Sequence, residues 1–555
     1  MDQNNLLTPW NRFINLLKLD KKDLYQIFYY AIFAGLVNLS LPLGIQAIIN
    51  LLQTAQVSTS WIVLVILVTL GVAFVGILQL MQLRIIEDIQ QKIFTRSAFE
   101  FAYRFPKIKM GQMRNYYPPE LANRFFDTLT VQKSLSKMLI DVPAAFLQIV
   151  FGLMLLSFYH PFFIIYGLLL VVFIYIVFKF TISRGMDTSL DESKHKYRVA
   201  HWIQEVARSV ISFKLSGKTT HAMDKSDTLV ADYLDARESH FKILMLQFGQ
   251  MIGFKVLVTA GLLLIGGILV LNQQMNIGQF VAAEIIILLV ISSVEKLILG
   301  LEMFYDMLTS LEKIGQVVDK DLESQEIDTA FQINDQIDLE LDRVTFRHQH
   351  KDTPLLDKIS LKVPQGSRIM IKGKNGSGKS TLLRIMAGLM EPESGNIYIN
   401  DFSLKGINPN YYRSFIGHSI AEETPFEGTI KDNITFGNPD VSAEDLSWAI
   451  KNTGLNEFIK QQPNGLNTVI YPEGKQLPYT VSKKIVLARS IIKRPKLMIL
   501  DESLEYFDKE EARKVIDFLT AEDKPWSLIV VSKNHYWDSK CPLHYRLENG
   551  KLKKI

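Results

Sequence analysis

The sequence predicts a multidomain membrane protein: a six-helix all-α transmembrane domain followed by an α/β phosphate-loop domain. Three observations carry that reading. Six apolar segments lie in the first 300 residues, each about 20 residues or longer and so able to cross ~30 Å of hydrocarbon. The long apolar runs stop near residue 320, and the chain beyond that point reads as an ordinary soluble α/β sequence. In that second part stands Gly373-Lys374-Asn375-Gly376-Ser377-Gly378-Lys379-Ser380-Thr381, the pattern of a glycine, four residues and Gly-Lys-Ser.

Composition sets the outer bounds. A chain of 555 residues implies more than one domain. Hydrophobic residues make up 48%, and the mean hydropathy of +0.12 averages two very different halves. The net charge of +4 is spread along the chain with no basic stripe, which argues against a nucleic-acid partner. The single cysteine, Cys541, excludes an intrachain disulfide, a cysteine-rich zinc site and a cysteine nucleophile in the N-terminal part. The first apolar run is too long for a signal-peptide core and lacks a small-residue cleavage site.

Residues 8–19 place Trp10, Phe13, Ile14 and Leu17 on one helical face, with Arg12 and Lys18 off it, as in a helix lying in a membrane interface. The spans come next, near 24–50, 60–83, 138–158, 162–182, 243–271 and 277–300. Connections 51–59, 159–161 and 272–276 are short and free of Lys and Arg, whereas 84–137 and 183–242 are long and rich in both. The positive-inside rule then puts the long connections and both termini in the cytoplasm.

Ile85, Ile89 and Ile93, and later Val199, Ile203, Val206 and Val210, keep helical apolar spacing, so the long connections read as the membrane helices continuing outward. Arms of ~25 residues would reach about 35–40 Å. Pro106 and Tyr116-Tyr117-Pro118-Pro119 interrupt the first excursion, and the second turns near Arg208–Phe213. Lys255 and Glu295 fall at similar depth in spans five and six, which predicts an ion pair; Glu284 is shallower and has no evident partner.

Around the phosphate-loop pattern, Arg368-Ile369-Met370-Ile371 reads as a buried strand. Leu382, Leu383, Ile385, Met386 and Leu389 recur at helical spacing. Strand, glycine-rich turn and helix let backbone N–H groups and a helix N-terminus cradle phosphates. Glycine permits close approach and positive φ. Lys379 would reach the β- and γ-phosphates, and Ser380 would offer its hydroxyl to Mg²⁺.

From about residue 337 onward the sequence resembles the ATP-binding-cassette (ABC) family. The matching stretches are the phosphate loop, Glu393-Ser394-Gly395-Asn396-Ile397-Tyr398-Ile399, Phe426 to Ile434, and Lys496-Leu497-Met498-Ile499-Leu500-Asp501-Glu502. With six spans in front, the chain resembles a half-size exporter of the type I ABC exporter fold, which implies a homodimer or a heterodimer with another half-transporter. The resemblance implies ATP and Mg²⁺ as cofactors. The loop residues Gly373 to Thr381 would bind nucleotide, His348 would stack on adenine, Ser380 and Asp501 would hold the metal, and Glu502, with Lys379, would be catalytic. The implied division is a transmembrane domain over 1–320, a linker over 321–336 and a nucleotide-binding domain over 337–555.

Departures from the family pattern are as specific as the matches. Ala421 stands where the family carries a glutamine. Leu477-Pro478-Tyr479-Thr480-Val481 replaces Leu-Ser-Gly-Gly-Gln, and Glu505-Tyr506-Phe507-Asp508 replaces Ser-Ala-Leu-Asp. The switch histidine aligns best with Lys533, which the resemblance then places among the nucleotide-binding residues, or with His535 after a two-residue slip. Slow ATP hydrolysis is the expectation. Leu41-Pro42-Leu43-Gly44-Ile45 and Asn276-Ile277-Gly278-Gln279-Phe280-Val281 resemble ATPases of type I secretion systems of the haemolysin-export type, which implies a periplasmic adaptor of the membrane-fusion type and an inner (plasma) membrane location. The implied function is ATP-driven export of a peptide, protein or amphipathic molecule. The alternatives are a catalytically weakened half beside an intact partner, or a nucleotide-gated regulator or scaffold.

Overall fold

A computed structural model describes residues 8–52, 59–113, 116–324, 337–348 and 351–555. Most of the linker 321–336 and of the connection 51–59 therefore lies outside the described residues. The chain divides into two compact units, Met1–Pro106 with Tyr116–Lys320, and Lys107–Asn115 with Asp321–Ile555.

In the first unit, six helical segments are long and apolar enough to cross a membrane: Lys21–Leu52, Thr59–Lys107, Pro118–Tyr159, Phe162–Arg208, His221–Leu271 and Ile277–Val318. Helices continue well past the apolar stretches, as the spacing predicts. Thr59–Arg104 and Phe162–Arg208 run 46 and 47 residues, about 70 Å at 1.5 Å per residue. The second excursion turns after Ser209, through a short helix Val210–Leu215 and Gly217 in the left-handed region, slightly later than the sequence predicts.

The first span is broken rather than straight. Helix Lys21–Asn38 ends at Leu39 and a second helix, Ser40–Leu52, begins. Pro42 explains the break, because it has no N–H to continue the ladder across that joint. Helix Ile277–Val318 starts with a reciprocal cap: Gln279 N–H donates to Asn276 Oδ1 at 2.7 Å, and Asn276 N–H donates to Gln279 Oε1 at 2.9 Å. Its buried stripe, including Ile286, Val290, Val294 and Ile298, packs with Leu156, Phe163 and Leu170. The close approach requires Gly152, where a Cβ would lie 2.8 Å from Val290.

Helix Pro9–Leu19 packs on the far end of that last helix. Trp10 and Phe13 meet the Phe304 ring at 6.0 Å. Arg12, which the sequence places off the apolar face, is buried and donates to Asp319 at 2.7 Å. The expected Lys255–Glu295 ion pair does not form: Lys255 is exposed and Glu295 half-buried, and neither has a charged partner among the described residues. The buried polar contacts use neutral groups instead. Gln247 Nε2 donates to Thr181 Oγ1 (2.8 Å) and to the Tyr305 hydroxyl (3.0 Å).

Among its described residues the second unit holds three sheets. In the first, β1 (Leu339–Phe346) lies between β2 (Leu356–Val363) and β4 (Ser394–Ile399), all antiparallel, with β5 (Phe402–Ser403) beside β4. The second runs β12-β11-β3-β10-β9-β6. Here β3 is Arg368–Lys372, β6 Ile416–Ser419, β9 Leu497–Asp501, β10 Ser527–Val531, β11 Leu543–Glu548 and β12 Lys551–Lys554. All its pairs are parallel except β11 with β12. β7 (Gly428–Thr429) and β8 (Val469–Ile470) form a small ribbon. Strands β9 and β10 are buried along their full length, as parallel strands covered on both faces should be. Residues 107–109 join this unit through backbone bonds, Lys109 N–H to Asp321 O (3.0 Å) and Glu323 N–H to Lys107 O (2.8 Å).

Cys541 is 1% exposed in this unit, and burial pushes its thiol up to about 12. Thiolate is the reactive form. The native protein should therefore take up no maleimide at pH 8, and one equivalent after denaturation; rapid labelling of the folded protein would contradict this burial.

Candidate functional site

Parallel pairing brings the functional segments to one edge. The carboxyl ends of β3, β9, β10 and β6 run into the phosphate loop, Asp501-Glu502, Ser532-Lys533 and Ile420-Ala421 respectively. Open α/β sheets bind ligands at this edge. After the loop, helix Lys379–Met386 is shorter than the apolar spacing implies. Gly388, at φ 66°, ends it, and Leu389 N–H turns back to Arg384 O, so Leu389 lies beyond the helix.

The loop has the form that a phosphate cradle needs. Gly376 and Gly378 adopt φ 79° and 100°. A Cβ on Gly373 would lie 2.5 Å from the Leu547 carbonyl oxygen. Lys374 and Asn375 are exposed at the loop tip, whereas Thr381 is buried behind it. Lys379 Nζ folds back onto the loop, donating to Gly373 O (2.9 Å) and Lys374 O (3.0 Å). Burial lowers the Lys379 pKa, with Glu502 and Asp501 opposing that shift.

Asp501 is 2% exposed, and burial raises its pKa against a hydrogen bond from Ser380. Asp501 Oδ2 and Ser377 Oγ are buried without a hydrogen-bond partner among the described residues. Such orphaned acceptors are costly, and a metal with its waters, or a phosphate, would satisfy them. The residues present therefore fit magnesium nucleotide. His348 is half-buried, edge-on to Phe346 at 5.5 Å. Phe346 pairs with Leu356, whose side chain adjoins Gly378, so β1 leads His348 toward the loop.

Between the two switch candidates the geometry separates cleanly. Lys533 Nζ lies 3.2 Å from Glu502 Oε1, while His535 is 93% exposed and turned toward Asp538. Glu502 has φ 47°, a strained conformation for a residue with a side chain, held by its N–H to Val531 O at 2.8 Å.

Helix Tyr479–Ile491 begins at Pro478 with no side-chain cap. Tyr479 packs edge-on to Tyr506 at 4.6 Å, and both are exposed. By sequence, Lys483 and Lys484 are candidates to serve a second chain's nucleotide. Both are already engaged. Lys483 Nζ donates to the carbonyls of Ala421 (2.6 Å), Glu423 (2.9 Å) and Ile420 (3.4 Å). Lys484 pairs with Glu511 at 2.9 Å. Sequence reasoning misses these ties, and also Arg489, which donates to Asn433 O (2.7 Å) and Oδ1 (2.9 Å) under Phe426 and Phe436. The available signal is that Lys483 stands three and four residues before the apolar Val486 and Leu487, on the helix face that is buried.

A phosphate-loop domain of this topology, in one chain with six apolar spans, defines a nucleotide-binding membrane protein. Residues 24–294 match the ABC transporter transmembrane region, and residues 356–505 match the ABC transporter domain. The chain belongs to the ABC transporter family, with the two parts fused. It is 29% identical over 307 residues to an export ATP-binding/permease protein of Rickettsia bellii, covering 54% of this chain and 53% of that protein. It is 27% identical over 289 residues to an alpha-hemolysin translocation ATP-binding protein of Escherichia coli, covering 52% and 41%. The chain spans about half the length of the curated relatives it matches. Its fold is that of a bacterial Atm1-family ABC exporter solved with ATP bound, with a TM-score of 0.85 at 16% identity, covering 96% of this chain and 94% of that one.

The Lys483 tie yields a stability prediction. Lys483→Met keeps the length of the side chain but strips three carbonyls of their donor. Unfolding should cost about 1–3 kcal/mol less, read as a lowered Tm of the purified protein, with nucleotide binding retained. An unchanged Tm would mean that the ammonium does not hold this loop.

Proposed function

We propose that this chain is an ATP-hydrolysing exporter subunit working as a dimer, moving a peptide, protein or amphipathic molecule out of the cytoplasm. The observation that carries the reading is the pair of orphaned Asp501 and Ser377 oxygens at the mouth of a left-handed glycine loop. Magnesium, when bound, neutralises charge on the transferring phosphoryl group. Ser380 and Asp501 would hold it. Lys379 would leave its loop carbonyls for the β- and γ-phosphates, and Glu502 would orient a water and accept its proton. His348 would stack on adenine.

A second reading is favoured by a specific observation. In an ABC dimer each nucleotide is closed by the partner's Leu-Ser-Gly-Gly-Gln, and here Pro478 offers neither hydroxyl nor N–H while Lys483 is turned inward. Loss of one preorganised donor can cost about 10²–10³ in rate. The chain then works as the weakened half of a heterodimer, hydrolysing its own nucleotide when an intact partner supplies that surface. A regulator without transport is the remaining alternative.

Lys- and Arg-rich long connections support cytoplasmic termini and an inner-membrane location. The short connections 159–161 and 272–276 leave no material for a domain beyond the bilayer, and together with the likeness to a haemolysin translocator they support a periplasmic adaptor as partner.

Two experiments test this function. Lys379→Ala should weaken Mg-ATP binding by about 1.5–3 kcal/mol, one charged hydrogen bond. The homodimer should hydrolyse ATP slowly, and an intact half-transporter should accelerate it in a way that Glu502→Gln abolishes. Binding indifferent to Lys379→Ala, or fast hydrolysis indifferent to Glu502→Gln, would refute the assignment. For topology, an impermeant thiol reagent applied to cells should label a cysteine at Asn272 and not one at Met223. The converse pattern would invert the orientation.

A further inference from the structure

Glu502 is held by a set of residues that the phosphate loop does not use. Lys533 Nζ forms an ion pair with Glu502 Oε1 at 3.2 Å. The segment that carries Lys533 is itself fixed. Glu505 Oε1 accepts from the Lys533 backbone N–H at 2.7 Å and from the Ser532 hydroxyl at 2.6 Å. Glu505 lies three residues after Glu502, in the turn that continues β9, while Ser532 and Lys533 continue β10. Val531, the last residue of β10, accepts the Glu502 N–H. The two turns are therefore joined at both ends, and the join aims one ammonium at one carboxylate oxygen. Lys533 is also close enough to Lys379 to disfavour its charge.

We infer that Glu505 is a positioning residue and that Lys533, seated by it, is a built-in brake on Glu502. This rests on the ATP-hydrolysing reading above. In hydrolysis the water oxygen bonds to the γ-phosphorus, the bond from that phosphorus to the β–γ bridging oxygen breaks, and the water proton passes to Glu502, leaving ADP and phosphate. The ammonium paired with that carboxylate has three donors and no acceptor, so it can neither take the proton nor relay it. A neutral imidazole in that place would have both a donor and an acceptor. Two of the departures from the family pattern, Glu505 and Lys533, are thereby one device rather than two separate losses.

The test uses the purified full-length chain in lipid nanodiscs, with equilibrium Mg-ATP binding and single-turnover hydrolysis of bound radiolabelled ATP measured side by side. Lys533→Met should raise the hydrolysis rate at least about tenfold, part of the ~10²–10⁴ that a general base contributes, while the Kd stays within about twofold. Glu505→Ala should raise it too, and should add nothing in the Lys533→Met background, since both act through one contact. Lys533→Arg should stay slow. Glu502→Gln should remove the gain. A rate that is unchanged or lower in Lys533→Met with binding intact overturns the brake alone. A Kd weakened about tenfold or more also overturns it, giving Lys533 to the nucleotide instead. Absence of Mg-ATP binding by the unmutated chain overturns the nucleotide reading and the brake with it.

Discussion

The constraint on which the site edge of the second unit depends is the burial of the Asp501 carboxylate at the end of β9. Withdrawing a carboxylate from water costs several kcal/mol unless it is bonded and compensated. A sheet that ends a strand in such a group must bring donors to it. Here the parallel register brings the phosphate loop to that edge, because β10 lies between β3 and β9 and sets the distance from loop to carboxylate. The remaining Asp501 oxygen is left open. That is tolerable only where binding completes the site, so the same constraint that shapes the edge also implies a ligand. Strain at Glu502, at φ 47°, belongs to this arrangement: the chain must turn sharply out of β9 to keep a second carboxylate at the edge.

Much of this is legible in the sequence. A glycine loop between an apolar strand and a helix has few other physical uses, and uninterrupted apolar runs bounded by Lys- and Arg-rich connections state their own length and boundaries. Partner choice among long polar side chains is not legible. Lys483 reads as a cation free to serve a second chain's nucleotide, yet the fold surrounds it with carbonyls of the turn after β6. Arg12 sits on the polar side of its helix by spacing, but the neighbouring helix ends in Asp319 at the height of that side chain. Equal depth in two spans suggests a Lys255–Glu295 pair, but depth says nothing about rotation around each helix, and rotation decides it. The break at Leu39 is concealed because hydropathy runs straight through Pro42, although the backbone cannot.

Within its apolar spans the membrane unit makes its buried polar contacts with neutral groups, and its buried charges, Asp20, Arg124, Asp127 and Lys313, lie outside those spans. Gln247, Thr181 and Tyr305 satisfy one another between three helices, and Gly185 provides the room, since a Cβ there would lie 2.4 Å from the Tyr305 ring. Neutral groups carry a smaller desolvation cost than ions, and a shared network fixes helix rotation at that level. Charged pairs such as Arg12–Asp319 and Arg96–Asp20 are found instead on the long helical extensions and at helix ends.

Taken one at a time, Ala421, Pro478, Lys483, Glu505 and Lys533 look like the decay of a motif set. Their contacts argue otherwise. Random loss of motif residues would leave polar side chains unpaired or turned to solvent. Here the lysine near the degenerate helix start fills the space beside the turn that lacks its glutamine, bonding the carbonyl of Ala421 itself. The glutamate in the turn after β9 binds the segment that carries the replaced histidine. Two departures are matched in this way, Ala421 by Lys483 and Lys533 by Glu505. Lys483 is buried, and a buried charge is costly unless partners compensate it. This edge of the chain is thus repacked: the glycine loop, Ser380 and Asp501 keep the family pattern, while the residues that differ around Ala421 and Glu502 bond one another.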